Sequence, residues 1–391
     1  MLRKPSEIAV SARFAIGVTE CSLLAVDTDA LVIGAGPAGL AASQQLKQHG
    51  VSHRVLERGD TVGHTWAHLY DSLVLHTGKR MSTLPGLRFP ADYPTFVSRT
   101  AFLTYLKQYR ETFGLPVETG VRVDRIERNN GTWTVTTSKS PVTSRVIVMA
   151  TGIVANPVAP RFPGQDQFRG KVLHSVEYRR PDPFKGLRVL VVGVGNSGGE
   201  IGAELAHSGV QVTIAVRSGA NVVPREIVGV PIQYIAYYVR KLPRPLQRVV
   251  VSMVRKITII RRGPPVLPPS PVFALDAVPL IGFHLVDAIK SGAAAVRPGL
   301  KEFTATGVRF TDGREEPFDT VILATGFHAA LAPLGKLITT DAKGFARRAD
   351  RVTSADQEGL YFVGSNYDSG GGLLNIGIDA RLVARRISGR G

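Results

Sequence analysis

The chain carries the spacing G-x-G-x-x-G twice, each time directly after an apolar run. GAGPAG at 34–39 follows Ala30-Leu31-Val32-Ile33, and GVGNSG at 193–198 follows LRVLVV. Beyond the first loop, LAASQQLKQHG reads as a helix with Gly50 as its C-cap, and VSHRVLER reads as a strand. Beyond the second, GGEIGAELAHSG reads as a helix and VQVTIAVRS as a strand. A glycine triplet alone says little. Strand, loop, helix and strand in that order make a βαβ nucleotide-binding unit. The fold expected is α/β, with two nested Rossmann-like dinucleotide-binding domains.

Each loop position has its own task. In the first loop, Gly34 permits the tight turn and Gly36 lets the backbone approach a pyrophosphate. Gly39 lets the helix pack on the strand, and Pro37 and Ala38 open the helix whose N–H groups meet the anion. Glu57 ends the next strand, 18 residues after Gly39. A carboxylate there accepts both ribose hydroxyls and repels a 2′-phosphate, so this site suits FAD or NAD. In the second loop Gly193, Gly195 and Gly198 play the same parts, and Asn196 and Ser197 add side-chain donors. Arg217 stands 19 residues after Gly198, followed by Ser218. A cation and a hydroxyl suit the 2′-phosphate of NADPH, and Arg225 is expected to reach the same group. An FAD site and an NADPH site hold a hydride acceptor beside a hydride donor.

Two strands end in Ala-Thr-Gly, SRVIVMATG and DTVILATGF, and suggest chain crossings between nested domains. VETGVRVDRIERNNGTWTVTTS reads as two strands joined at Asn-Asn-Gly. The boundaries expected are a loose extension over 1–28, a first part of the FAD domain over 29–155, an NADPH domain over 156–317, and a returning FAD segment over 318–391.

Composition narrows the function. One cysteine, Cys21, excludes an internal disulfide, a C-x-x-C redox pair and a cysteine-built zinc site, and fits a reducing, cytoplasmic setting. No metal is expected. The basic, semi-apolar start is interrupted by Glu20 and lacks a small-residue cleavage site, so a signal peptide is rejected. No apolar run reaches the roughly 18–20 residues that span a bilayer. The net charge of +17 concentrates in part in PIQYIAYYVRKLPRPLQRVVVSMVRKITIIRR at 231–262, which holds no acid and is broken by Pro243 and Pro245. One reading is an amphipathic patch for peripheral contact with an anionic membrane or a lipophilic substrate entrance. The preferred reading is a helical lid over a substrate cleft. Its aromatics match no nucleic-acid signature, so nucleic acid is not an expected partner.

FRGKVLHSVEY at 168–178 fits F-x-G-x-x-x-H-x-x-x-[YF] through Phe168, Gly170, His174 and Tyr178. LATGF at 323–327 and VGHTWAHLYDSLVLHTGKRMSTLPG accompany it in order. Over about 29–391 the chain resembles the flavin-containing monooxygenases, and GNSGGE with VVPREIVG resembles the YUCCA-type branch and its bacterial relatives. The resemblance implies that NADPH reduces FAD, that NADP⁺ stays bound, and that reduced flavin and O₂ form a C4a-hydroperoxide that oxygenates a small organic molecule. The reaction implied is N- or S-oxygenation or oxidative decarboxylation of a 2-oxo acid. It implies catalytic roles for His76 and Asn196 and a structural role for His174. Further FAD contacts are expected from Arg58, Thr65, Trp66, Val123, Ala150 and Gly364, and Lys79 matches a family residue near the flavin. His76 replaces the asparagine of amine-oxidising members, which keeps an NADPH oxidase or reductase open. Tyr178 replaces the tryptophan of the Baeyer–Villiger fingerprint, which makes that reaction less favoured. A membrane-associated protein holding FAD only as structure is the third alternative. The oligomeric state is left open.

Overall fold

The first apolar run forms a central strand because it is buried on both faces, as parallel sheets require. In the computed structural model, which describes residues 26–389 apart from 367 and 369, β1 (Thr28–Ile33) leads through the glycine turn into α1 (Pro37–Gln48) and β2 (His53–Leu56). The loop-rich stretch that follows holds two single-turn helices, α2 (His64–Ala67) and α3 (Lys79–Ser82). In α4 (Arg99–Phe113), Phe102, Tyr105, Leu106 and Tyr109 are buried at helical spacing. Ser98 Oγ accepts the Ala101 N–H at its start, and Gly114 closes it in the left-handed region. Next come β3 (Val117–Glu118), the hairpin β4 (Val123–Asn129) and β5 (Thr132–Thr137), and β6 (Val142–Met149). Asn130 and Gly131 turn the hairpin with φ of 49° and 81°, the double positive φ of a type I′ turn. The sheet order is β3-β2-β1-β6-β5-β4.

A two-residue strand, β7 (Asn156–Pro157), leaves this sheet for a second one. There β8 (Lys171–His174), β9 (Arg188–Val192), α5 (Asn196–His207) and β10 (Gln211–Val216) follow. Two small pairs come next: β11 (Val222–Val223), and the hairpin β12 (Glu226–Ile227) and β13 (Val230–Pro231). The basic segment forms α6 (Ile232–Val239) and α7 (Arg244–Arg262), parted at Pro243 as the sequence predicts. β14 (Leu280–Ile281) pairs with β11 and precedes α8 (His284–Lys290) and β15 (Ala294–Pro298). A three-stranded antiparallel flap, β16 (Leu300–Phe303), β17 (Gly307–Phe310) and β18 (Glu315–Pro317), covers this sheet's core before β19 (Thr320–Leu323) enters it. The second sheet is wholly parallel, in the order β15-β10-β9-β19-β8.

β19 corrects the boundary expected at 318. It lies between β8 and β9 and belongs to the second unit, so the chain crosses back only after it. The crossing strands meet: β20 (Phe327–His328) pairs antiparallel with β7. Then β21 (Leu360–Phe362) pairs in parallel with β6, and α9 (Gly372–Ile387) completes the first unit. The fold is α/β with two nested nucleotide-binding units. Residues 1–25 of the expected extension lie outside the described residues. Among the described residues, no helix is long and apolar enough to cross a membrane.

Candidate active site

The two loops have the same geometry, glycine for glycine. Gly34 has φ of 103°, and a Cβ on it would stand 2.7 Å from the Ala150 carbonyl oxygen. At Gly193 φ is 107°, and a Cβ would stand 2.5 Å from the Ala324 oxygen. A Cβ on Gly39 or Gly198 would meet the first glycine's own oxygen at 1.8 or 2.2 Å. The middle glycines differ: nothing lies within 4 Å of a Cβ built on Gly36 or Gly195. The outer glycines are required by packing, and each middle one opens onto empty space. α1 and α5 have neither a side-chain cap nor an acid in the first turn. Their leading N–H groups have no intrahelical partner, as an anion cradle requires.

Both loops open into one cavity of about 1260 Å³. Gly34, Gly36, Pro37, Ala38, Glu57, Arg58, Thr65, Trp66, Val123, Ala150 and Gly364 line its first end, and Gly195, Asn196, Ser197 and Gly198 line the second. Gly39 and Gly193 stand behind these walls as packing positions. Buried Glu57 accepts the N–H of Ala35 at 2.7 Å and of Gly59 at 2.9 Å, one per oxygen. Each oxygen keeps a lone pair for a further donor. The Trp66 ring meets Phe102 edge-on at 4.8 Å. The Gly364 N–H donates to Asp379 at 3.3 Å, which pairs with Arg351. Asn196 Oδ1 accepts the Ile281 N–H at 2.9 Å, which leaves its NH₂ as the unengaged end.

Arg217 and Ser218 are exposed at the end of β10, beside Gly299, and Arg217 has no ion pair among the described residues. Arg225 has partners that its place in the sequence does not suggest. Its guanidinium lies 4.5 Å over the Phe96 ring and donates to the carbonyls of Leu75 at 3.2 Å and Val74 at 3.4 Å. Through Nη2 it fastens the second unit to the 70–76 loop of the first. Lys79 is also diverted: its ammonium binds carbonyls of the 90–93 loop, including Ala91 at 2.8 Å.

His76 lines the cavity, and Arg225 brings a polar cluster to it that the sequence reading missed. The Tyr70 hydroxyl donates to Glu200 of α5. His76 Nδ1 is 3.4 Å from the other Glu200 oxygen, near enough to feel its charge but without hydrogen-bond geometry. Burial pushes the His76 imidazole below its usual range, opposed by Glu200 and reinforced by Arg225. Burial also raises the Tyr70 hydroxyl well above its usual value, with Glu200 adding to it. The cluster therefore presents a neutral imidazole and a protonated phenol at neutral pH. Tyr178, fully buried, donates to Glu204 one turn further along α5 at 3.0 Å. The signal for Glu200 was present in GNSGGE, where it shares the helix that carries the phosphate loop.

His174 has the structural place expected of it. Its Nδ1 accepts the Val176 N–H at 3.2 Å, so Nε2 donates to the Gly326 oxygen at 3.1 Å. The ring stands edge-on to Phe327 at 5.0 Å and ties the end of β8 to β20.

α6 and α7 supply one wall of the cavity, as a lid would. Gln233, almost fully buried, accepts the Gly78 N–H at 3.0 Å and donates to the Gly370 oxygen at 2.6 Å. It ties the lid to both halves of the first unit. Ile232, Ala236, Val239, Val251 and Val254 give that wall an apolar surface.

The family model for flavin-binding monooxygenase-like proteins matches residues 28–344. The indole-3-pyruvate monooxygenase YUCCA1 of Oryza sativa subsp. japonica is 37% identical over 373 residues, which cover 92% of this chain and 91% of that protein. The indole-3-pyruvate monooxygenase YUCCA6 of Arabidopsis thaliana is 33% identical, with coverage of 95% and 93%. The solved flavin-containing monooxygenase of Stenotrophomonas maltophilia superposes with a TM-score of 0.75 at 25% identity, covering 93% of this chain and 98% of that one.

Proposed function

The chain belongs to the flavin-binding monooxygenase family, and from that premise we propose that it is an FAD-dependent monooxygenase that uses NADPH and O₂ to decarboxylate a 2-oxo acid oxidatively. The observation that carries the reading is one cavity shared by two phosphate cradles, with Glu57 at one end and Arg217 beyond the other. The substrate class rests on relatives that match nearly the whole chain and are named indole-3-pyruvate monooxygenases, indole-3-pyruvate being a 2-oxo acid. The reaction balances as 2-oxo acid, O₂, NADPH and H⁺ giving the shortened acid, CO₂, NADP⁺ and water.

Bound FAD supplies the redox chemistry, taking hydride from NADPH and passing electrons to O₂. The chain holds and shields it. The first turn of α1 and the Gly36 backbone hold the FAD pyrophosphate, and the free lone pairs of Glu57 take its ribose hydroxyls. α5 and Gly195 hold the NADPH pyrophosphate, and Arg217 with Ser218 takes the 2′-phosphate. The Asn196 NH₂ and the neutral imidazole of His76 are two uncharged donors among those that line the shared space. Neutrality suits them to orient a polar group without delivering a proton from a cation. The apolar lid wall accepts the organic part of the substrate and keeps water out.

The test is turnover of indole-3-pyruvate and phenylpyruvate with NADPH under ¹⁸O₂. The reading expects one labelled oxygen in the shortened acid and one CO₂ per NADPH. Hydrogen peroxide as the sole oxygen product with every 2-oxo acid would favour the oxidase reading, which the histidine at position 76 supports.

A further inference from the structure

Helix α7 has two apolar faces and a cover for only one. Val250, Val251, Val254 and Thr258 line the cavity. Leu246, Val249, Met253, Ile257 and Ile260 recur every three or four residues and form a stripe on the other side. Their exposure runs from 50% at Ile257 to 82% at Ile260. Single exposed apolar residues need no explanation, whereas a stripe about four turns long does. Tyr238 and Leu242, just before α7, are exposed as well.

The charge around the stripe identifies its partner. Residues 231–262 contain eight lysines and arginines and no acid. Arg240, Arg244 and Arg262 meet Asp368, Asp276 and Asp287. Arg248, Arg255, Lys256 and Arg261 have no ion pair among the described residues. At 3.6 residues per turn, Lys256 and Arg261 project about 60–80° to either side of the stripe's centre. We propose that the outer face of α7 docks in the plane of an anionic lipid surface, the stripe at the acyl boundary and the flanking cations on the headgroups. A second copy of the chain is a poorer partner, because a twofold pairing through this stripe would set the same unpaired cations against each other. Docked this way, the cavity's lid lies at the lipid surface, with its inner face still over the substrate.

The test is flotation of the full, FAD-loaded chain with vesicles of phosphatidylcholine alone or of phosphatidylcholine mixed with phosphatidylglycerol. Binding is expected only with phosphatidylglycerol, and it weakens as salt rises. The double substitution Met253→Glu, Ile260→Glu is expected to reduce the bound fraction roughly tenfold or more. Flavin content and thermal midpoint should stay unchanged, because both side chains already face water. Equal binding to neutral vesicles, no binding to either, or undiminished binding of the double variant would each overturn the proposal. So would a dimer in sedimentation velocity that the same substitutions dissolve.

Discussion

The Tyr70 hydroxyl of the first unit donates to Glu200 of the second, and the other Glu200 oxygen stands 3.4 Å from His76 Nδ1. One carboxylate thus joins the 70–76 loop of the first unit to α5, the helix that follows the second glycine loop. Glu200→Ala leaves a buried phenol without its acceptor and the buried guanidinium of Arg225 without its nearest counter-charge. The expected loss of stability is about 1–3 kcal/mol, read as a fall in the urea midpoint. Glu200→Gln keeps an acceptor for Tyr70 and should lose less. An alanine variant as stable as the parent would show that Glu200 carries no contact between the units.

His76 makes stability depend on pH in a stated direction. Burial lowers its folded pKa, while the unfolded imidazole titrates near about 6.5. Between those values the unfolded chain holds a proton that the folded chain lacks. Stability is therefore full above the unfolded value and is lost as pH falls toward the folded one. Half-buried His53 and buried His174 act in the same direction. His76→Gln should flatten part of the slope of urea midpoint against pH on the acid side of neutrality. An unchanged slope would exclude His76 as a source.

The glycines separate packing from binding. Gly36→Ala places its methyl in open space, so the apoprotein should keep its thermal midpoint while flavin occupancy falls. Gly39→Ala drives its methyl into the Gly34 carbonyl and should lower the midpoint itself. Equal flavin occupancy in Gly36→Ala and the parent would place the pyrophosphate elsewhere.

Arg217→Ala should lower kcat/KM for NADPH by roughly 10- to 150-fold, the loss of a charge-assisted contact of about 1.5–3 kcal/mol. The value for NADH should barely change. A retained preference for NADPH would remove Arg217 from the 2′-phosphate site.

Much of this architecture is legible in the sequence, for local reasons. Apolar run, glycine turn and helix are adjacent in the chain, and a type I′ turn needs only Asn130 and Gly131. What was not legible depends on partners distant in sequence. Two strands end in Ala-Thr-Gly, yet β6 pairs in the first sheet and β19 in the second, and strand partners in a parallel sheet are set by the fold. Arg225 lies eight residues after Arg217 in sequence, yet its guanidinium is held by Val74 and Leu75. Glu200 is visible in GNSGGE on the helix of the second loop, but its partners Tyr70 and His76 appear only once the 70–76 loop packs on α5. The basic helices at 231–262 are visible in the sequence, but the outer apolar face of α7 appears only once its inner face is seen to line the cavity.

We propose that the second glycine loop holds the NADPH that reduces FAD held at the first, and that one atom of O₂ then enters the product acid. The most direct test begins with anaerobic mixing of FAD-loaded protein and NADPH, followed by O₂ with and without a 2-oxo acid. NADPH should bleach the flavin, and with substrate present NADPH consumed, O₂ consumed and acid formed should stand at one to one to one. A flavin that NADPH cannot bleach, or one whose oxygen all returns as peroxide whatever 2-oxo acid is present, would contradict this assignment of the two loops and of the monooxygenase reaction.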